Sequence, residues 1–145
     1  MNQTQTLTHH NAARLEGAQR LSFLPDIFGG DFLASEASVY AYAQRYCPEY
    51  NGGFWHFYRI QQGGGYMVPD VDNILFCNTE NWFEQSVSGE VAGIILTALV
   101  LNHRSWLHSR KDNEELCRHF CRRHEQLMAY IDQHPDSSTI WRALD

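Results

Sequence analysis

The chain has 145 residues, four cysteines and a formal net charge of −6. That length supports one domain able to bury a core without disulfides or metal, and 43% apolar with 19% charged residues excludes wholesale disorder. An acidic balance also argues against a protein that grips duplex DNA through a broad basic face.

Residues 1–20 are polar and are expected to form a partly mobile segment ahead of a domain spanning 21–145. They lack the apolar core of a secretory signal. The longest largely apolar run, Val91 to Leu101, falls short of the roughly 20 residues a bilayer requires. The expectation is a cytoplasmic protein that makes no use of a membrane, its thiols free.

A short helix is expected from Asn11 to about Arg20, followed by the apolar connector LSFLPDIFGG. Ser35 is a plausible N-cap for a helix that runs to about Tyr46 and is stopped by Pro48. The stretch NGGFWHFYRIQQGGGYMVPD (51–70) comes next, with glycines bracketing aromatic-rich runs. GFWHFYRI, GYMVPD and NILFCNT are three β-prone runs separated by Gly-rich or Asp/Asn-rich turns, which predicts an antiparallel meander of three strands, or four. Trp55, Phe57 and Arg59 would face one way, and Phe54, His56, Tyr58 and Ile60 the other, so helices must cover at least one face.

Ser88 opens a helix that reaches about Ser109 and is apolar almost all round, as a central helix would be. Its polar strip holds Gly93, Thr97, Arg104 and His108. Asn102 falls in the apolar sector with Val91, Ile95, Ala98 and Trp106, and is expected to be a buried amide in need of partners. Asp112 and Glu115 form a capping-box-like pair for a helix extending to about His134. Leu116, Cys117, Phe120, Cys121, Leu127, Met128 and Ile131 make its apolar face, opposite Arg118, His119, Arg122 and Arg123. A last short helix, capped by Asp136, carries Ile140, Trp141 and Leu144. The class is α+β, a single domain with a small antiparallel meander and about five helices.

Enzyme chemistries fail one by one. Pro69-Asp70 starts a nuclease-like pattern, but Glu80 is followed by Asn81 and Trp82, and Lys111 lies on another helix. The Asp70–Asp72 run opens like a calcium loop and then places Ile74 and Leu75 where a ligand and a glycine belong. GxGxxG, GK[ST], HExxH and GxSxG are all missing. His103 and His108 lie about 140° apart around a helix and cannot share a metal directly. Cys117, Cys121 and His124 do share a face, but Phe120, Met128 and Ile131 mark it as a core stripe. His56 reads as a strand histidine bonded to a neighbour. A Cys/His pair that meets only in space stays open. No catalytic residue, metal or cofactor is expected.

Four blocks in order, NGGFWHFYR (51–59), GGGYMVPD (63–70), Asn81-Trp82 and SGEVAGIILTALVLNHRSWL (88–107), are similar to antirestriction proteins of the ArdB/KlcA type, carried by plasmids, prophages and other mobile elements. The likeness spans about residues 20–145 and includes the terminal ALD. It implies an α+β domain that protects incoming DNA by blocking cleavage by host type I restriction–modification enzymes while sparing methylation, without catalysis or cofactor. The blocks map onto Asn51, Gly52, Gly53, Trp55, Tyr58, Gly64, Gly65, Tyr66, Asn81, Trp82, Ala92, Gly93, Asn102 and His103. Of these, Asn51, Gly52, Gly53, Trp55, Tyr58, Tyr66, Asn81, Trp82, Asn102 and His103 are the candidate partner-contact or family-block residues. The hairpin aromatics read as mainly core, with an exposed minority left for a partner, which is expected to be the restriction complex itself, met directly or during DNA translocation.

Charge arithmetic limits the mechanism independently. Copying one turn of duplex takes on the order of 20 carboxylates along a curved strip. The whole chain has seventeen acids, so DNA mimicry is not expected. The alternative is a DNA-binding accessory protein, with weak contact through Arg104, Arg110, Arg118, Arg122 and Arg123 on two helices. Against it stands a solvated face paired with Glu114, Glu115 and Glu125. The oligomeric state stays open.

Overall fold

The computed structural model describes residues 7–9 and 11–145. In chain order the elements are β1 (Leu7–His9), β2 (Ala12–Arg14), a 3-10 turn at Gly17–Ser22, α1 (Phe23–Phe28), α2 (Phe32–Tyr46), β3 (Trp55–Ile60), β4 (Gly65–Pro69), β5 (Asn73–Asn78), β6 (Phe83–Ser88), α3 (Gly89–Arg110), α4 (Glu114–Gln133) and α5 (Ser137–Leu144). Strands β1 to β4 form one antiparallel sheet in sequence order, and β5 and β6 form a separate hairpin. The α+β class is as expected, and among the described residues so is the number of α-helices, although α1 falls where an apolar connector was expected.

The strand pairing differs from the expected meander, and helix α3 is the reason. Its inward strip is the supposedly polar one. At Gly93 a Cβ would collide with the Met67 carbonyl oxygen and lie 2.7 Å from Val68 Cα, so only glycine lets the helix touch the backbone of β4. One turn on, Thr97 Oγ1 accepts a hydrogen bond from Met67 N at 3.1 Å. The free edge of β4 is thereby satisfied by a helix side chain. The third run, NILFCNT, cannot pair there. It turns away after Pro69 and pairs with Phe83–Ser88, in register from Asn73↔Ser88 to Asn78↔Phe83.

The N-terminal expectation is also corrected. Where a helix was expected from Asn11 to Arg20, Ala12–Arg14 pairs with β3, with Ala12 opposite Ile60 and Arg14 opposite Tyr58. Ala12 is fully buried, and Leu15 N donates to Phe57 O at 2.8 Å. Ala and Arg favour helices locally, but a waiting strand edge outweighs that preference. The expected mobility of the first residues concerns, for 1–6 and 10, positions outside the described residues.

Helix ends follow local chemistry with small shifts. Ser88 Oγ accepts from Val91 N at 3.1 Å and caps α3 as expected. Ser35 is not a cap: it lies buried inside α2, which starts at Phe32 behind Asp31. Helix α4 is capped by Asn113 Oδ1, which accepts from Leu116 N at 3.2 Å, in place of the Asp112–Glu115 pair. Asp112 instead takes a positive φ of 56° and ends the preceding helix. Asp136 stands at the N-cap of α5 without a side-chain bond.

The core runs from Phe23, Ile27 and Phe28 through β3 and β4 to α3, Phe120, Leu127, Ile131 and Ile140. Both faces of β3 are covered, Phe57 stacking on Phe23 at 4.5 Å and Tyr58 on Tyr66 at 5.2 Å. Two charged clusters clamp the helices. Asp31 accepts from Arg104 Nε and His108 Nε2, each at 2.9 Å. Burial works against its charge, but those hydrogen bonds and the guanidinium hold its carboxyl below the ordinary aspartate value. Asp26 pairs with Arg59 and, through Oδ1, with Arg123 at 3.0 Å. Among the described residues no helix is long and apolar enough to cross a membrane.

Candidate partner-contact surface

The β5–β6 hairpin closes through Thr79, Glu80, Asn81 and Trp82. Two asparagines fix this loop. Asn78 Oδ1 accepts from Glu80 N, and Asn81 Oδ1 from Phe83 N, each at 3.0 Å. Their amide groups reach the far end of the chain: Asn81 Nδ2 donates to Ala143 O at 2.8 Å and Asn78 Nδ2 to the same oxygen at 3.3 Å. That carbonyl belongs to the last turn of α5, which has no intrahelical partner for it. The Asn81-Trp82 block and the terminal ALD, distant in sequence, thus form one structure. Asn78 was not singled out from sequence. Its signal is the N-x-x-N spacing of NTEN, which suits two side chains bonding their own turn.

Trp82 sits on this platform with φ at +62° and 89% of its surface exposed. Left-handed backbone favours glycine or asparagine, and holding a bulky residue there costs about 1–3 kcal/mol. The ring recovers almost none of that by burial, and it stacks on no other aromatic ring among the described residues. Glu80 and Glu84 flank it two residues away on either side of the chain, and Arg142 lies over the ring of the neighbouring Phe83. Arg45 Nη2 is 3.7 Å from Glu80, and Arg142 Nη2 donates to Gln85 Oε1 at 2.8 Å.

The other candidates divide by burial. Asn51 is exposed beside Gly52 and Gly53, whose φ values of 95° and 110° bend the chain into β3. Together with Tyr40, Gln44 and Tyr50 they line a shallow cleft of about 400 Å³. Trp55, Tyr58 and Tyr66 are core residues. Trp55 Nε1 donates to Tyr50 Oη at 3.1 Å, Arg14 Nη2 to Tyr58 Oη at 3.0 Å, and Tyr66 and Tyr130 share a hydrogen bond at 3.2 Å. Burial pushes the Tyr66 hydroxyl's pKa up. These three hold the sheet and are not free to meet a partner.

Asn102 is exposed, which corrects the expected buried amide: Val91, Ile95 and Ala98 in its sector are buried, but the C-terminal end of that sector emerges into solvent, where Trp106 is 61% exposed. His103 is also exposed, its ring 6.1 Å from Tyr42. Asn102 and Trp106 line a groove of about 350 Å³ with Cys117, Cys121 and His124. The expected core stripe on α4 is therefore partly a groove wall. Among the described residues no His, Cys, Asp or Glu cluster has the makings of a metal site. Burial lowers the pKa of His124.

The five arginines converge only in part: Arg118, Arg122 and Arg123 line one open cleft on α4, and Arg104 and Arg110 do not line it. Arg104 is committed to Asp31, and Arg123 turns inward, with Nη2 donating to Asp26 O at 2.8 Å. Arg118 pairs loosely with Glu114 at 3.8 Å, and Arg110 and Arg122 are exposed. His119, Gln126 and the acidic Glu115 share the α4 cleft with Arg118, Arg122 and Arg123.

Known proteins place the chain. The profile of the antirestriction protein family matches residues 48–145. A putative antirestriction protein of Escherichia coli K12, YubI, is 50% identical over 131 residues, covering 90% of this chain and 93% of that one. The antirestriction protein KlcA of Escherichia coli is 37% identical over 139 residues, covering 92% of each. A solved structure superposes with a TM-score of 0.81 at 33% identity over the full length of both chains. It is described as showing that KlcA and ArdB proteins have a novel fold and antirestriction activity against type I DNA restriction systems in vivo but not in vitro. The profile match and the identities over nine-tenths of the chain make this protein a member of the antirestriction protein family, of the KlcA/ArdB type.

Proposed function

We propose that the protein shields incoming mobile-element DNA by binding the host type I restriction–modification complex and stopping cleavage while methylation continues. It does so without turnover and without imitating duplex DNA. The observation that carries this reading is where the carboxylates lie. Asp26, Asp31 and Glu90 are committed to arginine or histidine partners inside the fold. Asp70 faces His56 at 3.0 Å, Glu36 accepts from Tyr40, and Glu49 accepts from Leu75 N. An acidic strip tracing a phosphate backbone would need Asp26, Asp31 and Glu90 outward and unpaired, and Asp70 and Glu49, though exposed, are tied to partners within this chain.

The KlcA and ArdB behaviour, active in cells and silent in vitro, supports a target state that exists only in the working cell, such as the complex while it translocates DNA. The DNA-binding alternative loses two of its five arginines to internal pairs. Plating unmodified phage on type I restricting cells, with methylation of the same DNA scored in parallel, tests the reading. Relief of restriction with methylation intact is expected. No relief, or relief with methylation equally lost, overturns it.

A further inference from the structure

Within that reading, we infer that the β5–β6 hairpin tip is the docking element, and that Trp82 inserts into an apolar pocket on a partner protein whose rim carries lysine or arginine. The inference rests on the proposed contact with the restriction complex and names the part of this chain that makes it.

Three observations converge on the tip. First, position 82 follows a turn and takes the left-handed conformation that glycine normally fills, yet the sequence supplies the largest side chain. Nothing in the fold rewards that choice, because the ring is almost fully exposed. A residue that weakens its own fold and stands clear of it is the signature of a site kept for something outside the molecule. Second, the platform is rigid before any partner arrives. Asn78 and Asn81 each bridge the loop to Ala143 O, so the ring is offered without the ordering cost that a loose loop would carry on binding. Tryptophan is among the residues enriched where a few side chains dominate an interface. Third, the surroundings choose the partner. Glu80 and Glu84 flank the tip in sequence; Glu80 lies 3.7 Å from Arg45 Nη2, Glu84 forms no ion pair among the described residues, and Arg142 is turned onto Phe83 and Gln85. A nucleic acid stacking its bases on Trp82 would bring phosphates towards Glu80 and Glu84, whereas a basic-rimmed protein pocket complements them.

Trp82→Gly and Trp82→Asn separate function from folding. Both suit a left-handed position, so each is expected to melt at or above the wild-type temperature while relief of type I restriction falls about tenfold or more. Trp82→Phe, which keeps an aromatic anchor, retains part of it. Glu80→Lys combined with Glu84→Lys is expected to weaken protection several-fold through charge repulsion from the basic rim.

Protection by both Trp82→Gly and Trp82→Asn within twofold of wild type overturns the inference. So does a fall in melting temperature of both, which would make Trp82 a folding residue. Stronger protection by the lysine variant, with a salt-dependent gel shift, would reassign the tip to nucleic acid. A dimer that dissociates on Trp82→Gly in sedimentation would reassign it to a second copy of this chain. If the wild-type protein gives no protection in the same cells, the functional reading itself fails, and that outcome is distinct from a failure of the tip.

Discussion

The contact between α3 and β4 and the tip of the β5–β6 hairpin use unusual residues in opposite ways. At Gly93 the chain gives up a side chain so that two backbones can touch, and Thr97 completes the edge of the strand beside it. At Trp82 it places the bulkiest side chain where glycine would be easiest, and leaves it in water. The first arrangement makes sense only inside the fold. The second makes sense only outside it. The proposed docking role of Trp82 thus assigns stability and function to different regions, and substitutions should separate them.

The largest expected effect is at the helix–strand seat. Gly93→Val should destabilise by more than about 4 kcal/mol, because the added atoms meet backbone that cannot retreat, and circular dichroism should find little folded protein. A well-folded Gly93→Val protein would break the comparison. The Asp31 clamp comes next. Asp31→Asn should cost about 1–3 kcal/mol in urea unfolding at neutral pH by weakening the bonds from Arg104 and His108.

The sign of its pH dependence follows from the lowered folded-state value of Asp31. The stabilisation is present above the unfolded aspartate value of about 3.9 and is lost as pH falls through the folded one. The gap between wild type and Asp31→Asn should therefore close only in acid. Thr97→Val, nearly isosteric, should cost about 1–2 kcal/mol by orphaning the Met67 amide, with restriction relief unchanged. Asn81→Ala should cost about 1 kcal/mol in the same assay and lower protection more than its stability loss explains, since it frees the Trp82 platform.

How far the sequence revealed this differs by region. Helix α3, its Ser88 cap and the covered aromatics of β3 were legible because apolar periodicity and capping are local signals. The strand at Ala12–Arg14 was not, because its stability comes from β3, more than forty residues away. The split into two sheets was hidden for a similar reason: Gly93 and Thr97 read as a polar strip until their contact with Met67 is known. The block residues pointed to Asn81 and Trp82 but also to Tyr58 and Tyr66, and only burial divides the proposed anchor from rings that hold the core. Asn102 was misjudged by its angular position, since apolar neighbours on a helix wheel do not say whether Trp106 itself is covered.

The most direct test is site-specific photo-crosslinking from Thr79, next to the tip, in type I restricting cells receiving unmodified phage DNA. The account predicts an adduct with a subunit of the restriction complex that disappears with Trp82→Gly. Protection that persists while Thr79 crosslinks only to DNA, or to no protein at all, would contradict it.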